Sequence, residues 1–122
     1  MYRINVKSHF SSAHMLVGYD GACKNMHGHN WKVRLEIACE DIDKIGMAMD
    51  FMDVKVHLKE MMDMLDHKVL NELEPFMEMN PTSENIARWL YEQFEKRINQ
   101  EDRKVTEVEI WESDKSSVIY SK

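Results

Sequence analysis

Two segments of the chain alternate between apolar and polar residues, and this alternation limits the folds that the chain can adopt. The first covers residues 2–14 and the second covers residues 27–39. Successive side chains of a strand point to opposite faces, so each segment predicts a strand with one buried and one solvated face. If the two strands pair as antiparallel neighbours, residues 15–26 form their connection. The chain therefore begins with a predicted hairpin.

Three histidines continue the apolar faces of these two strands. His14 ends the apolar face of the first, and His27 and His29 begin that of the second. Antiparallel pairing should bring all three imidazoles to one end of the hairpin, provided that no bulge shifts the register. Three imidazoles with an open fourth position are typical of catalytic zinc. We therefore predict a zinc site, the alternative being three ordinary polar residues at the rim of a sheet.

Two amphipathic helices are predicted after the hairpin. Apolar residues recur at helical spacing over 54–65, and Asp50 or Asp53 can cap that helix. The sequence Asn-Pro-Thr-Ser-Glu at 80–84 combines a proline, hydroxyl caps and a first-turn carboxylate, and an apolar stripe over 86–98 follows it. Both segments therefore present an apolar face to a common core.

Two short strands complete the predicted fold. Alternation over 108–112 and an extended run over 116–121 flank a tight turn. The resulting order is strand, strand, helix, helix, strand, strand. Consecutive hairpin strands favour an antiparallel sheet with the helices on one face. We predict a single α+β domain over residues 1–122 with a four-stranded antiparallel sheet.

Composition limits the partners and the compartment. Sixteen basic and twenty-two acidic residues give a net charge of −6, which argues against a nucleic-acid binder. No run approaches the roughly 18 apolar residues of a membrane helix, and the alternating start does not resemble a signal peptide. Two cysteines fit a reducing compartment. The expectation is a cytoplasmic protein without membrane or nucleic-acid partners.

Two further parts of the sequence, one with a cysteine and one with an Asp-His pair, predict acid–base chemistry. Cys23 lies in the loop before the paired histidines, where nearby positive charge would favour its thiolate as a base or nucleophile. It can also be an idle loop cysteine or a fourth zinc ligand. Asp66 and His67 follow the first helix, where the chain can turn and let the carboxylate orient the imidazole. The alternative for this pair is a helix C-cap.

Glu112 shares a strand face with Val108 and Ile110. A carboxylate on an apolar face costs free energy unless a partner satisfies it, and a ligand with two parallel N–H donors, such as an aminopyrimidinone, would do so. The alternative is an exposed strand end. His9 and His57 are expected to have no chemical role, and Cys39 is expected in the core.

Six motifs occur in order over nearly the whole chain, and they are Ser-Ser-Ala-His14, Cys23-x3-His27-Gly-His29, Gly46-x3-Asp50-Phe51, Leu65-Asp66-His67, Asn80-Pro-Thr-Ser-Glu84 and Glu112. Together they resemble the 6-pyruvoyltetrahydropterin synthase family. The spacing of three residues between the cysteine and His-Gly-His, together with Asn-Pro-Thr-Ser-Glu, resembles the 6-carboxy-5,6,7,8-tetrahydropterin synthases of the queuosine pathway.

This resemblance implies a tunnelling fold, in which three subunits close a twelve-stranded barrel and two trimers stack into a homohexamer with sites at subunit interfaces. It implies a zinc-dependent lyase that converts 7,8-dihydroneopterin triphosphate, a small-molecule substrate, to 6-carboxytetrahydropterin, acetaldehyde and triphosphate without a redox cofactor. Alternatives are a 6-pyruvoyltetrahydropterin synthase, a zinc-dependent pterin-binding protein without turnover, and a purely structural zinc.

The resemblance also implies roles for individual residues. Zinc, held by the three histidines, binds the side-chain hydroxyls of the substrate. The other implied roles are proton abstraction by Cys23, a proton relay by Asp66 and His67, pterin binding by Glu112, and hydrogen bonds to the ring from Thr82 and Ser83. For the triphosphate there is no glycine-rich cradle. Lys24 and Lys68 are candidates for that contact.

Overall fold

The computed structural model describes residues 1–21 and 24–122. Two short 3-10 turns separate the helices, and none of the described helices combines the length and apolarity needed to cross a bilayer. The elements in chain order are β1 (Tyr2–His14), β2 (His27–Cys39), α1 (Phe51–Leu65), α2 (Ser83–Ile98), β3 (Arg103–Ser113) and β4 (Ser116–Tyr120).

The four strands form an antiparallel sheet in the order β1-β2-β3-β4. Helix α1 packs on β1, and α2 packs on β3 and β4, so both helices cover the same face. The predicted four-stranded α+β fold is therefore confirmed.

The hydrophobic core lies between this face and the helices, because the alternation of the strands sends their apolar side chains to one side. Burial of a large apolar side chain contributes roughly 1.5–3 kcal/mol. The largest fully buried side chains come from both layers and are Trp31, Phe10, Phe94, Leu35, Ile37, Leu58, Met61, Leu65, Leu70, Ile86, Leu90 and Ile98. Cys39 is buried among them, as predicted.

Side-chain caps fix the start of each helix. The Asp50 carboxylate, not that of Asp53, accepts from the backbone N–H of Met52 at 2.8 Å. At α2, the Thr82 hydroxyl accepts from the N–H of Asn85 at 3.1 Å. Each cap satisfies a helix N–H that has no partner within the helix.

The opposite face of the sheet is polar and is centred on Arg34. Its guanidinium donates to Glu107 and, at 3.1 Å, to Glu109, while Glu36 lies 3.4 Å away. Burial is the largest single effect on the pKa of Arg34 and lowers it, but the hydrogen bonds and the charges of Glu107 and Glu109 together outweigh burial and raise the pKa. The charge of Arg34 thus holds three carboxylates together on adjacent strands.

We predict that Arg34→Met destabilises the fold by about 2–4 kcal/mol, because Glu107 and Glu109 lose their shared cation in a half-buried setting. Denaturant unfolding measures the change. Lys59→Met, which removes the exposed pair with Asp63, should cost less than about 1 kcal/mol. Equal costs for the two variants would contradict a structural role for the Arg34 cluster.

Candidate metal centre

Strand pairing brings three histidines together at one end of the sheet. The β1–β2 ladder runs without a register shift, so His14 lies opposite His27, and Ser12 lies opposite His29. One nitrogen from each imidazole lies within 4.8 Å of the others. His14 is fully buried, and the other two rings are partly exposed. The cluster therefore opens toward solvent on one side.

Backbone carbonyls fix the tautomers of two of these rings. His14 Nδ1 lies 2.8 Å from the Pro81 carbonyl oxygen, and His27 Nδ1 lies 2.6 Å from that of Asn25. A carbonyl only accepts, so each Nδ1 carries the proton and each neutral ring has a lone pair on Nε2. The two Nε2 atoms are 3.0 Å apart. Lone pairs that converge in this way are suited to a shared cation.

The third ring supplies a nitrogen that lacks a hydrogen-bond partner. His29 Nε2 is buried without one among the described residues, and it lies 3.5 Å from Glu112 Oε1. Burial lowers the pKa of His29, which the Glu112 charge opposes, and burial likewise lowers the pKa of His14. Both rings therefore favour the neutral form that metal ligation requires. The cluster fits a metal held by three imidazoles.

Trp31 forms the floor of the cluster. Its ring meets the rings of His14 and His29 edge-on, at centroid distances of 5.0 and 5.1 Å, and stacks on Phe10 at 5.7 Å. Its indole N–H donates to the Ser12 carbonyl at 3.3 Å. Because Trp31 is fully buried, it holds two of the imidazoles against a rigid apolar surface.

The start of α2 lies beside the cluster in the same chain. Pro81, whose carbonyl accepts from His14, directly precedes Thr82, the N-cap, and Ser83, the first helical residue. Thr82 and Ser83 are both partly exposed. No sequence pattern predicts the Pro81 contact, because any residue carries a carbonyl. The motif only places these residues at a helix start.

Asp66 and His67 form a pair at the edge of β1. One Asp66 oxygen accepts from the backbone N–H of Ser11 at 2.8 Å, and the other lies 2.8 Å from His67 Nδ1. The Ser11 bond and then the His67 bond lower the pKa of Asp66. Asp66 is also the C-cap of α1. The two predicted alternatives, C-cap and imidazole-orienting carboxylate, therefore both describe its contacts.

His67 turns away from its own chain. Its side chain is 83% exposed, and its backbone adopts a left-handed φ of 55° that its N–H bond to the Ser11 carbonyl, 2.6 Å, holds in place. Among the described residues, no hydrogen bond or ion pair links Asp66 or His67 to the three histidines. The pair and the cluster are separate features of one chain.

The remaining predicted residues have no contact with the cluster that can be described. Cys23 lies outside the described residues. Lys24 and Lys68 are both exposed, and neither is hydrogen-bonded to the histidines. His9 is exposed on the polar face of the sheet, and His57 lies on α1. In the described part of the chain, Thr82 and Ser83 likewise form no hydrogen bond to the three histidines.

Comparison with known proteins agrees with this geometry. The family model described as 6-pyruvoyl tetrahydropterin synthase matches residues 3–122. The chain is 30% identical, over an alignment of 143 positions, to a 6-carboxy-5,6,7,8-tetrahydropterin synthase of Haemophilus influenzae, covering 98% of this chain and 99% of that protein. It is also 32% identical over 116 positions to a dihydroneopterin monophosphate aldolase of Pyrococcus furiosus, with 95% and 94% covered.

A solved structure shows the same architecture. The 6-pyruvoyl tetrahydropterin synthase of Caenorhabditis elegans superposes with a TM-score of 0.89 at 26% identity, covering 99% of this chain and 95% of that one. The match extends over both the sheet that carries the histidines and the helices that cover it. This chain is therefore an enzyme of the lyase type that belongs to the 6-pyruvoyl tetrahydropterin synthase family.

Proposed function

We propose that this chain is a zinc-dependent 6-carboxy-5,6,7,8-tetrahydropterin synthase that converts 7,8-dihydroneopterin triphosphate and one water to 6-carboxytetrahydropterin, acetaldehyde and triphosphate. The observation that carries the proposal is the three-histidine cluster beside Glu112 in a chain of this family. Several relatives bear that name. The product would enter queuosine biosynthesis, and we expect the enzyme in the cytoplasm.

Zinc suits His14, His27 and His29, because three neutral imidazoles leave a coordination position for a ligand. Bound there, zinc would supply Lewis acidity to the side-chain hydroxyls of the substrate and make the adjacent C–H more acidic. The fixed tautomers of His14 and His27 keep their Nε2 atoms available for this purpose. The Trp31 floor excludes water from the buried side of the cluster.

Glu112 would anchor the pterin ring. Its carboxylate lies 3.5 Å from His29 and is about one-third exposed, so part of it remains available to a ligand. Two carboxylate oxygens can accept from the amino group and the ring N–H of an aminopyrimidinone. This contact would place the ring beside the cluster and direct the side chain of the substrate toward the histidines.

Cys23 would be the base that removes the side-chain proton. It lies four positions before His27 in the sequence, so the connection between β1 and β2 carries it close to the cluster along the chain. Cys39 is a poor candidate, because it is buried in the core and burial raises its pKa. Once the thiolate has accepted a proton, it must transfer that proton to a second group before it can act again.

Asp66 and His67 would form that second group on a neighbouring subunit. Thr82 and Ser83, at the start of α2 beside the cluster, would add hydrogen bonds to the pterin. Within this chain His67 faces solvent, so it is available to a second copy. The Asp66 carboxylate is held ionised by Ser11 and keeps the imidazole oriented. An oriented, exposed imidazole is what a site shared between subunits requires.

The edges of the sheet support the homohexamer. Beyond its pairing with residues 66–69, which begins at Ser11, the outer edge of β1 has no strand partner among the described residues. The outer edge of β4 has none either. Open edges favour pairing with another chain, and closure of three subunits into a barrel removes them.

An aldolase acting on dihydroneopterin monophosphate is a second candidate. It is supported by the Pyrococcus furiosus relative, which matches 95% of this chain at 32% identity. Retro-aldol cleavage would release a phosphorylated two-carbon aldehyde and leave a hydroxymethyl pterin. The synthase reaction instead releases acetaldehyde and triphosphate. A 6-pyruvoyl synthase would release triphosphate and no aldehyde, and a pterin-binding protein would release nothing.

Our first prediction for the site concerns the metal. His27→Ala should abolish stoichiometric zinc, measured by elemental analysis of purified protein, because one of three ligands is lost. His57→Ala is the matched control and should retain the wild-type zinc content. Circular dichroism should show an intact fold for both variants, as expected of a catalytic rather than a structural metal. Full zinc occupancy in His27→Ala would contradict the assignment.

A second prediction concerns the product. Incubation of the wild type with dihydroneopterin triphosphate should release acetaldehyde and triphosphate, with 6-carboxytetrahydropterin identified by mass spectrometry. Cys23→Ala should lower kcat by about 10²–10⁴-fold and retain zinc. Cys39→Ala, which also removes a thiol, should keep kcat within about threefold of wild type. A hydroxymethyl pterin from the monophosphate would instead favour the aldolase.

A third prediction concerns the shared site. Cys23→Ala and His67→Ala should each be inactive, and random reassembly of equal amounts should restore about a quarter of wild-type activity, because one site in four draws both intact residues from different subunits. Mixing without reassembly controls for residual activity. Reassembled hexamers that stay inactive would indicate that Cys23 and His67 serve the same site from a single chain.

A further inference from the structure

Two asparagine side chains bind the backbone directly after β1. Asn71 accepts from the N–H of Met15 at 3.0 Å and donates to its carbonyl at 2.9 Å. Asn80 makes the same two contacts with Val17, each at 2.8 Å. A side-chain amide offers one donor group and one acceptor, as a peptide group does. Each asparagine thus replaces a peptide unit of a neighbouring strand.

These contacts extend a ladder that begins inside β1. On the same edge, Ser11 is paired with Asp66 and His67, and the N–H of Ala13 donates to the Lys68 carbonyl at 3.0 Å. Residues 11, 13, 15 and 17 are therefore bound in succession, with the period of two that a strand requires. Hydrogen bonds along this edge therefore continue for three residues beyond the end of β1, as far as the turn at Val17.

The anchored stretch ends where the chain turns. Gly18 has a φ of +84°, a left-handed value that glycine adopts readily. From Val17, where the second asparagine binds, six residues lead to Cys23. The pairing at Met15 and Val17 therefore fixes the point on the sheet from which this loop starts.

The same asparagine segment is tied to the metal centre. Asn80 precedes Pro81, whose carbonyl fixes the His14 ring, and the Asn80 carbonyl itself accepts from the side chain of Asn85 at 2.8 Å. The start of α2 thus holds the loop through Asn80 and a predicted zinc ligand through Pro81. One rigid element relates the two parts of the site.

We propose that Asn71 and Asn80 are positioning residues of this enzyme, which hold the start of the loop that carries Cys23 in the sequence. The inference rests on the proposed function, since Cys23 is its proposed base. A turn does not require a side-chain amide that binds both the N–H and the carbonyl of one residue, as Asn71 and Asn80 do here. The contacts of Asn80 are exposed, where water competes for them, so their contribution to global stability is small.

The test compares Asn71→Ala and Asn80→Ala with Asn99→Ala. Asn99 accepts from the N–H of Val105 at 2.8 Å at the opposite end of the sheet, so its loss removes a similar bond away from the site. Amide exchange should rise about tenfold or more at Met15 in the first variant, at Val17 in the second and at Val105 in the control. These exchange rates report each contact without reference to activity.

The decisive measurement is whether each variant changes kcat, KM or both. Both positioning variants should lower kcat by about tenfold or more while KM for dihydroneopterin triphosphate and the zinc content stay at wild-type values. Asn99→Ala should keep the wild-type kcat. Asn71→Ser and Asn80→Ser repeat the test should an alanine variant unfold. Faster exchange at Met15 and Val17 with unchanged kcat would overturn the inference, whereas a wild type that turns over no pterin would overturn the proposed function instead.

Discussion

The uninterrupted pairing of β1 with β2 is the constraint on which the candidate site depends. A slip of one residue would move every side chain of a strand to the other face and separate the histidines. The described sheet contains two register shifts, one between β2 and β3 at Glu36 and Ile37 and one between β3 and β4 at Trp111 and Ser113. Neither lies in the ladder between β1 and β2. The end that carries His14 and His27 is therefore paired without irregularity.

The metal centre combines groups from both layers of the fold. The sheet supplies the three imidazoles and the Trp31 floor, and the segment before α2 supplies the carbonyl that orients His14. Burial of polar side chains without partners costs free energy. The same burial lowers the pKa of His14 and of His29, so the core that surrounds the rings also keeps them ready for a cation.

Much of this arrangement was predictable from the sequence, because it rests on periodicity. Alternation gave β1 and β2 with their observed bounds, and the register argument followed from it. The pattern does not decide whether Asp50 or Asp53 caps α1. It also does not predict the contacts of Asn71, Asn80 and Pro81. These contacts join segments far apart in the chain through amide and carbonyl groups, which leave no periodic signal in a sequence.

The strained backbone of His67 fits the role proposed for this residue. A left-handed conformation costs a non-glycine residue about 1–3 kcal/mol and persists only where its surroundings enforce it. Ser11 and Asp66 provide that enforcement, yet the imidazole they orient contacts solvent and contributes nothing to the core. A glycine would turn the chain at lower cost. A pair held in this way beside an open strand edge fits the proposed proton relay to a neighbouring subunit.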